Sequence, residues 1–216
     1  MVFDLQPDII VKNRNKLDGD FSTPGQTITA ETGGCAWESC MTINDSWGYQ
    51  TTDDDWKTPK TVVRNLISCA RDGGNYLLNI GPRGDGSIPE ESVSILQAVG
   101  KWLDGNGQAI YKTDVCKVKR SASANFTRRG NTRYLHAYFW PGPELNIAGL
   151  RTKVKTARLL RSGAPVTFRW TELQTKSLGL PQTAPDSPVT TLVVECESEP
   201  VQDTDFIRRN RERDRA

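Results

Sequence analysis

The sequence predicts an α/β unit with parallel strands and outer helices, followed by an antiparallel β-sandwich. Up to Tyr111, buried-strand patterns alternate with helical patterns, which is typical of a parallel sheet with helices packed outside. Beyond Tyr111 the helical period disappears, and Gly and Pro turns separate short runs of β-forming residues. The 216 residues, 36% hydrophobic and 25% charged, are enough for two domains of about 100 residues each.

The α/β unit is predicted to begin with a short, fully buried strand at Ile9-Ile10-Val11. A loop rich in Gly, Pro and Thr follows over residues 19–34. Thr58-Pro59 is a helix start, with Thr as the N-cap and Pro at the first helical position, and Gly73-Gly74 ends that helix. The remaining predicted elements are strands at 37–43 and 75–80, a tight loop at 81–86 and a helix from Pro89 to about Gly105.

The second half of the chain is predicted to be all β, with strands at 134–140, 157–160, 166–170 and 189–196. We therefore expect an α/β domain over residues 1–112 and a sandwich over residues 113–200. Residues 201–216 are highly charged and nearly free of apolar side chains, so we expect a disordered tail.

Charge and hydropathy argue against two classes of partner. The formal net charge is only +2 and the basic residues are mostly dispersed, which gives little support to nucleic-acid binding. No apolar stretch approaches the ~20 residues that cross a bilayer, so no membrane partner is expected. The first residues lack the charged and apolar regions of a signal peptide.

Cysteine and histidine usage gives no metal or triad pattern. The five cysteines lie far apart without a His/Cys cluster, so we expect free or buried thiols. Asp53-Asp54-Asp55 point in different directions, which favours a solvated loop over a metal site. His136 is the only histidine and lies in an alternating, strand-like run, where a structural role is the expectation.

Candidate catalytic residues follow from the predicted strands, because parallel α/β barrels place catalytic groups at the carboxyl ends of strands and in the following loops. Arg14 ends a strand and has donors for a substrate hydroxyl or ring oxygen, although an ion pair with Asp18 or Asp20 is the alternative. The other candidates are Glu38, Trp47, Asn79 and the loop at 81–85.

Glu38 is the strongest of these candidates because it is a carboxylate among aromatic residues, Trp37, Trp47 and Tyr49. Apolar surroundings raise the pKa of a carboxyl group by desolvation, which suits a general acid near neutral pH. Aromatic rings also stack on the apolar faces of sugars. A structural salt bridge is the alternative role for Glu38, and Trp37 and Trp47 are equally consistent with core aromatics.

Two long strings carry a resemblance to a known family: WESCMTINDSWGY at 37–49, and GGNYLLNIGP at 73–82 followed by Gly84-Asp85-Gly86. They closely resemble the α-L-fucosidases of glycoside hydrolase family 29. AVGKWL at 98–103 and NGQAIY at 106–111 are also similar to the last barrel helix and exit of that family. The resemblance is strong over residues 3–112 and looser through the sandwich to about Pro200.

The resemblance implies the C-terminal part of a (β/α)₈ TIM-like barrel, and retaining hydrolysis of α-linked L-fucose without a cofactor or metal. It makes Glu38 the acid/base group, with Glu31 in reserve, because the Thr-Pro-Glu segment that holds this group in other members reads Thr23-Pro24-Gly25 here. It also assigns Arg14, together with Trp47, to substrate binding. The implied partner is a fucosylated glycan, and family members are typically secreted, periplasmic or lysosomal.

Two features of the family are not found in this sequence. The nucleophilic Asp belongs to an upstream Trp-x-Asp-Gly motif, and the fucose-binding histidines lie upstream as well. A (β/α)₈ barrel needs about 250 residues, so we expect this chain to be a fragment that is unstable, aggregates or needs the rest of its barrel. A catalytically inactive fucose- or carbohydrate-binding remnant is the alternative function.

Overall fold

The computed structural model describes residues 2–12, 19–30, 36–118, 123–171, 173–203 and 205. The first half contains a three-stranded parallel sheet in the order β1-β2-β3, with a helix between β2 and β3 and another after β3. The elements are α1 (Val2–Leu5), β1 (Phe21–Ser22), β2 (Ala36–Thr42), α2 (Pro59–Arg71), β3 (Asn75–Asn79), α3 (Glu90–Asn106) and a 3₁₀ turn (Gly107–Ala109).

Helix α2 begins where the sequence predicts. The Thr58 Oγ1 atom accepts a hydrogen bond from the Thr61 N–H at 3.1 Å, and Pro59 occupies the first helical position. After the helix, Gly73 takes a φ of +76°, and the Gly74 N–H donates to the Cys69 carbonyl at 2.9 Å. The buried faces of α2 and α3 pack together in one core, which includes Val62, Val63, Ile67, Ile95, Val99 and Trp102.

The second half contains two antiparallel sheets, of orders β4-β5-β10-β7 and β6-β9-β8. They enclose a core that includes Phe126, Leu135, Ile147 and Leu192. The predicted β-sandwich is therefore confirmed. Its strands are β4 (Ala124–Arg129), β5 (Thr132–Ala137), β6 (Leu145–Ala148), β7 (Val154–Leu159), β8 (Thr167–Trp170), β9 (Gln174–Leu178) and β10 (Thr190–Cys196).

The two central strands of the four-stranded sheet, β5 and β10, are buried on both faces. Leu192 and Val194 of β10 face the sandwich core, whereas Val193 packs with Ala109 of the 3₁₀ turn. The Trp102 Nε1–H of α3 donates to the Val189 carbonyl at 2.8 Å, which ties the helical layer to the entrance of β10. This double burial explains why β10 contains three consecutive apolar residues, Leu192-Val193-Val194, instead of an alternation of apolar and polar residues.

The prediction of a buried strand at Ile9–Val11 is wrong. Ile10 is 73% exposed, and Val11 is bonded to Asp20 at both its N–H and its carbonyl, each at 2.7 Å. One of these hydrogen bonds is accepted by the Asp20 side chain and not by a backbone carbonyl, so residues 9–11 form no regular ladder of backbone hydrogen bonds with a neighbouring strand. The first parallel strand is instead Phe21–Ser22, inside the segment predicted as a loop.

The other predicted strands and both helices are confirmed within a few residues, but β4, β6 and β9 have no counterpart among the predictions. Strand β9 reads QTKSL, and the residues that it buries are Thr175 and Ser177. A strand with polar side chains on its buried face carries no apolar alternation. Of the predicted disordered tail, residues 204 and 206–216 lie outside the described part of the chain.

Arg133 is an unusual member of the sandwich interior. Its side chain on β5 has no exposed surface, and its guanidinium lies 5.3 Å from the centre of the Phe126 ring. Burying an unpaired ion costs several kcal/mol, whereas a desolvated cation–π contact returns about 2 kcal/mol. Burial lowers the pKa of Arg133, but an arginine side chain keeps its proton in proteins.

Candidate active site

A cleft of about 730 Å³ lies on the face of the parallel sheet opposite α2 and α3. Its walls come from all three parallel strands and from the turn after β2, and they combine polar side chains with an indole ring and apolar groups. Such a mixture suits a small polar ligand with apolar faces. The lining residues used below are Glu38, Cys40, Trp47, Leu77 and Asn79.

Glu38 faces this cleft from β2 and is half-buried. It pairs in register with Asn75, the first residue of β3. Four positions separate it from Thr42 at the carboxyl end of β2, a distance of about 13 Å along the strand. Glu38 therefore lies deeper than the strand-end positions, and it also borders a neighbouring cleft of about 670 Å³ that Ile9 and Ile10 help to line.

The aromatic environment of Glu38 differs from the expectation. Trp37 is buried on the opposite face of β2, where its Nε1–H donates to the Asp72 carbonyl at 3.2 Å. Successive strand residues point to opposite faces, so Trp37 is a core residue and not a neighbour of the Glu38 carboxylate. Trp47 does line the cleft with Glu38 and is 49% exposed, so its ring is accessible to a ligand.

Polar side chains at the carboxyl ends of β2 and β3 form the rim of the sheet. Asn79 ends β3 and lines the cleft, and its Oδ1 atom has no hydrogen-bond partner among the described residues. Asn44 follows β2, and its Oδ1 atom also has no hydrogen-bond partner among the described residues. The Lys57 ammonium donates to the Asn44 carbonyl at 3.1 Å. Of these residues the sequence singled out only Asn79, although the strand-end rule also covers Asn44.

A second set of bonds holds the end of β2 in place. The Thr42 hydroxyl donates to the Asn44 carbonyl and accepts from the Gln26 Nε2–H at 2.8 Å. The Gln26 backbone has a φ of +56°, and its N–H donates to the Cys40 carbonyl at 2.9 Å. Nothing in the sequence pattern indicates the hydrogen bond between Gln26 and Thr42, because it joins a loop residue to a strand residue 16 positions away.

Two candidates cannot be placed, since Arg14 and the reserve carboxylate Glu31 lie outside the described residues. Asp53 is a turn-forming residue: its carboxylate accepts from the Ser46 N–H at 2.8 Å, and the hydrogen bonds to Ser46 lower the Asp53 pKa. Within the described ranges there is no group of three or more His, Cys, Asp or Glu side chains that could hold a metal.

Of the described cysteines only Cys40 lines the cleft, and neither His136 nor a residue of the described helices is among its lining residues. Cys40, Cys69, Cys116 and Cys196 are free thiols, and Cys35 lies outside the described residues. His136 is fully buried on β5, and burial lowers its pKa to about 3. None of the helices in the described part of the chain is long and apolar enough to cross a membrane.

The arrangement supplies one carboxylate, one accessible indole ring and a polar rim around a space of sugar size. Among the described lining residues, Glu38 is the only carboxylate. A carboxyl group in this position is able to exchange a proton with a ligand in the cleft, and the Trp47 ring is able to stack on an apolar sugar face. Double displacement needs a second carboxylate about 5 Å from the first.

Comparisons with known proteins identify a family to which this chain is similar. The sequence profile described as Alpha-L-fucosidase matches residues 2–108. Human tissue α-L-fucosidase is 34% identical over 161 residues, which are 70% of this chain and 34% of that protein. The bovine tissue enzyme is 37% identical over 125 residues, or 56% of this chain and 26% of that protein.

Solved structures extend the similarity into the sandwich. The α-L-fucosidase isoenzyme 1 from Paenibacillus thiaminolyticus has a TM-score of 0.83 at 31% identity, covering 92% of this chain and 52% of that one. The Thermotoga maritima α-fucosidase in complex with fucose has a TM-score of 0.75 at 27% identity, covering 89% of this chain and 46% of that one.

The chain spans about a third of the length of the curated relatives it matches. The family profile ends close to the 3₁₀ turn after α3, and the structural similarity continues through both antiparallel sheets. The predicted resemblance is therefore confirmed, and the chain belongs to the α-L-fucosidase family.

Proposed function

We propose that this chain is part of an α-L-fucosidase that releases α-linked L-fucose from fucosylated glycans, with Glu38 as its acid/base residue. The observation that carries the proposal is the half-buried Glu38 carboxylate in a sugar-sized cleft beside the accessible Trp47 ring. Every relative described above is named a fucosidase, which supports the same reaction for the whole protein.

In the proposed reaction, Glu38 protonates the leaving glycosidic oxygen and then takes a proton from the incoming water. The nucleophilic carboxylate attacks the anomeric carbon from the opposite side of the sugar, as in other retaining glycosidases. That carboxylate comes from a part of the complete enzyme outside this chain. We assign Trp47 and Arg14 to substrate binding, with the indole stacking on the sugar and the guanidinium donating to its oxygens.

The proposed fold of the complete enzyme is a (β/α)₈ barrel, of which β1, β2 and β3 are consecutive strands. Parallel sheets are normally covered on both faces. Here α2 and α3 cover one face, while Leu77, on the other face with Glu38, is 47% exposed. Further barrel strands would enclose that face. We place the boundary between the barrel part, 1–112, and the sandwich, 113–200, after the 3₁₀ turn.

The test is the Glu38→Gln substitution in the complete enzyme. General acid catalysis contributes about 10²–10⁴-fold, so turnover of fucosides with poor leaving groups should fall by that factor. Activated aryl fucosides, which leave without protonation, should lose far less in the first step. Glu91→Gln, in the exposed first turn of α3, is the matched control and should leave both rates unchanged.

An equal loss on both substrate classes would show that Glu38 supports the sheet rather than transferring a proton. Glu38 lies about 13 Å from the carboxyl end of β2, whereas catalytic groups of parallel barrels lie at the strand ends. A structural role is therefore the alternative that this comparison tests. In that case, the strand-end positions and Glu31 become the next candidates for the acid/base group.

A second candidate function is carbohydrate binding without turnover. It is favoured by the single carboxylate of the described cleft, because one carboxyl group cannot perform double displacement. Titrating the chain with L-fucose while following tryptophan fluorescence tests it, since Trp47 lines the cleft. A saturable change in fluorescence would favour this function, and a flat titration would exclude it for the chain alone.

A further inference from the structure

The Arg133 guanidinium is enclosed in the sandwich without a charge partner. Its Nε, Nη1 and Nη2 atoms are all buried, and none has a hydrogen-bond partner among the described residues. Along β5 it shares the core-facing side of the strand with Leu135 and Ala137. A guanidinium has five N–H donors and normally uses them when buried, so the absence of any acceptor requires an explanation.

The neighbouring side chains do not supply the missing negative charge. The groups that interact electrostatically with Arg133 are the thiols of Cys116 and Cys196. Burial raises the pKa of the Cys196 thiol, and the Arg133 charge only partly opposes this effect. The remaining close group is the Phe126 ring, whose quadrupole returns less than the loss of hydration costs.

We propose that a small monatomic anion of the chloride class binds beside the Arg133 guanidinium and neutralises it inside the sandwich. The described groups around the guanidinium are apolar side chains and thiols, so the occupant must itself carry the negative charge, and a monatomic halide does so with a smaller volume than sulfate, phosphate or a carboxylate ligand. The anion accepts the N–H bonds that no described residue accepts, with the Phe126 ring as one wall. This site is separate from the cleft that contains Glu38, and it does not depend on the proposed fucosidase reaction.

The first experiment measures thermal unfolding of the complete enzyme at constant ionic strength while gluconate is replaced by chloride or bromide. Binding to the folded state alone raises the melting temperature in proportion to the logarithm of the halide concentration above its Kd, by several degrees once that concentration is about 100 times the Kd. Arg133→Met keeps an unbranched, buried side chain but removes the charge and the N–H donors, so its melting temperature should be independent of halide.

Arg158→Met is the matched control, because Arg158 lies half-buried on β7 of the same sheet and should leave the halide response intact. Crystals of the unaltered complete enzyme soaked in bromide give a second measurement that needs no variant. An anomalous peak against the Arg133 nitrogens is expected. A melting temperature unaffected by halide, an equal halide response in Arg133→Met, or no bromide peak would overturn the proposal.

Discussion

His136 should make the stability of this protein fall steeply in mild acid, because the imidazole is held in its neutral form. The Thr127 hydroxyl donates to the Ala109 carbonyl at 2.6 Å, so it must accept from the His136 Nε2–H at 2.9 Å. The Nδ1 atom is then the acceptor for the Thr191 hydroxyl at 3.2 Å. Protonation adds a charge that none of these partners neutralises.

The size of the effect follows from the difference in pKa between the two states. Burial lowers the folded-state pKa of His136 to about 3, whereas an unfolded histidine titrates near 6.5. The unfolded chain therefore binds the extra proton first, and the stability due to this group is complete above pH 6.5 and is lost as the pH falls towards 3. At pH 4.5, two units below 6.5, the loss is about 3 kcal/mol at roughly 1.4 kcal/mol per unit.

The assay is urea unfolding at several pH values between 7.5 and 4.5, compared with His136→Gln. The amide of Gln is able to donate to Thr127 but does not titrate, so the variant should cost about 1–3 kcal/mol at pH 7.5. The difference between the two proteins should then close by pH 4.5. Thr191→Val keeps the buried imidazole, so it should retain the pH dependence of the unaltered protein.

Parallel stability curves for the unaltered protein and His136→Gln would refute this reasoning. Such a result would mean that the imidazole is hydrated or already charged in the folded state. Carboxylates also titrate in this range, which is why the difference between the two proteins is the quantity to compare.

Two other predictions concern close packing and thiol burial. Gly74→Ala should destabilise the protein by about 1–3 kcal/mol in urea unfolding, since the new Cβ would lie 2.2 Å from the Trp37 ring. Gly84→Ala, with no atom within 4 Å of its Cβ, is the control, and an equal cost for both would contradict the argument. Burial raises the pKa of the Cys69 thiol to about 12, so alkylation followed by mass spectrometry should label the partly exposed Cys40 before Cys69. Labelling of Cys69 in the folded protein would show that its helix opens.

Sequence reasoning succeeded where the signal is local. The N-cap Thr58, the Pro at the first helical position and the Gly73-Gly74 stop each act within one turn of α2, and all are present in the structure. It failed at Ile9–Val11, because an apolar run predicts a buried strand only if another layer covers it, and Ile10 is exposed. It also missed β9, whose buried Thr175 and Ser177 depend on the strands beside them.

The sequence also predicted the candidate site only in part. The sequence identified Glu38 and Trp47, and the structure places both on one cleft although nine positions separate them. It grouped Trp37 with Glu38 because the two are adjacent, whereas the alternation of a strand places them on opposite faces. The same alternation puts Arg133 on the core side of β5 with Leu135, but only the packed sandwich shows that no described acceptor reaches it.

Short-range patterns in the chain were sufficient to predict an α/β unit followed by a β-sandwich, most of the regular elements and the family. Helix caps, turn residues and the family's sequence motifs are each recognised within a few consecutive residues. The packed structure alone decided which faces are covered, which strand begins the sheet and which polar groups lack partners. These properties depend on contacts between residues far apart in the sequence, such as Trp102 with Val189 and Gln26 with Thr42. No local pattern encodes such contacts.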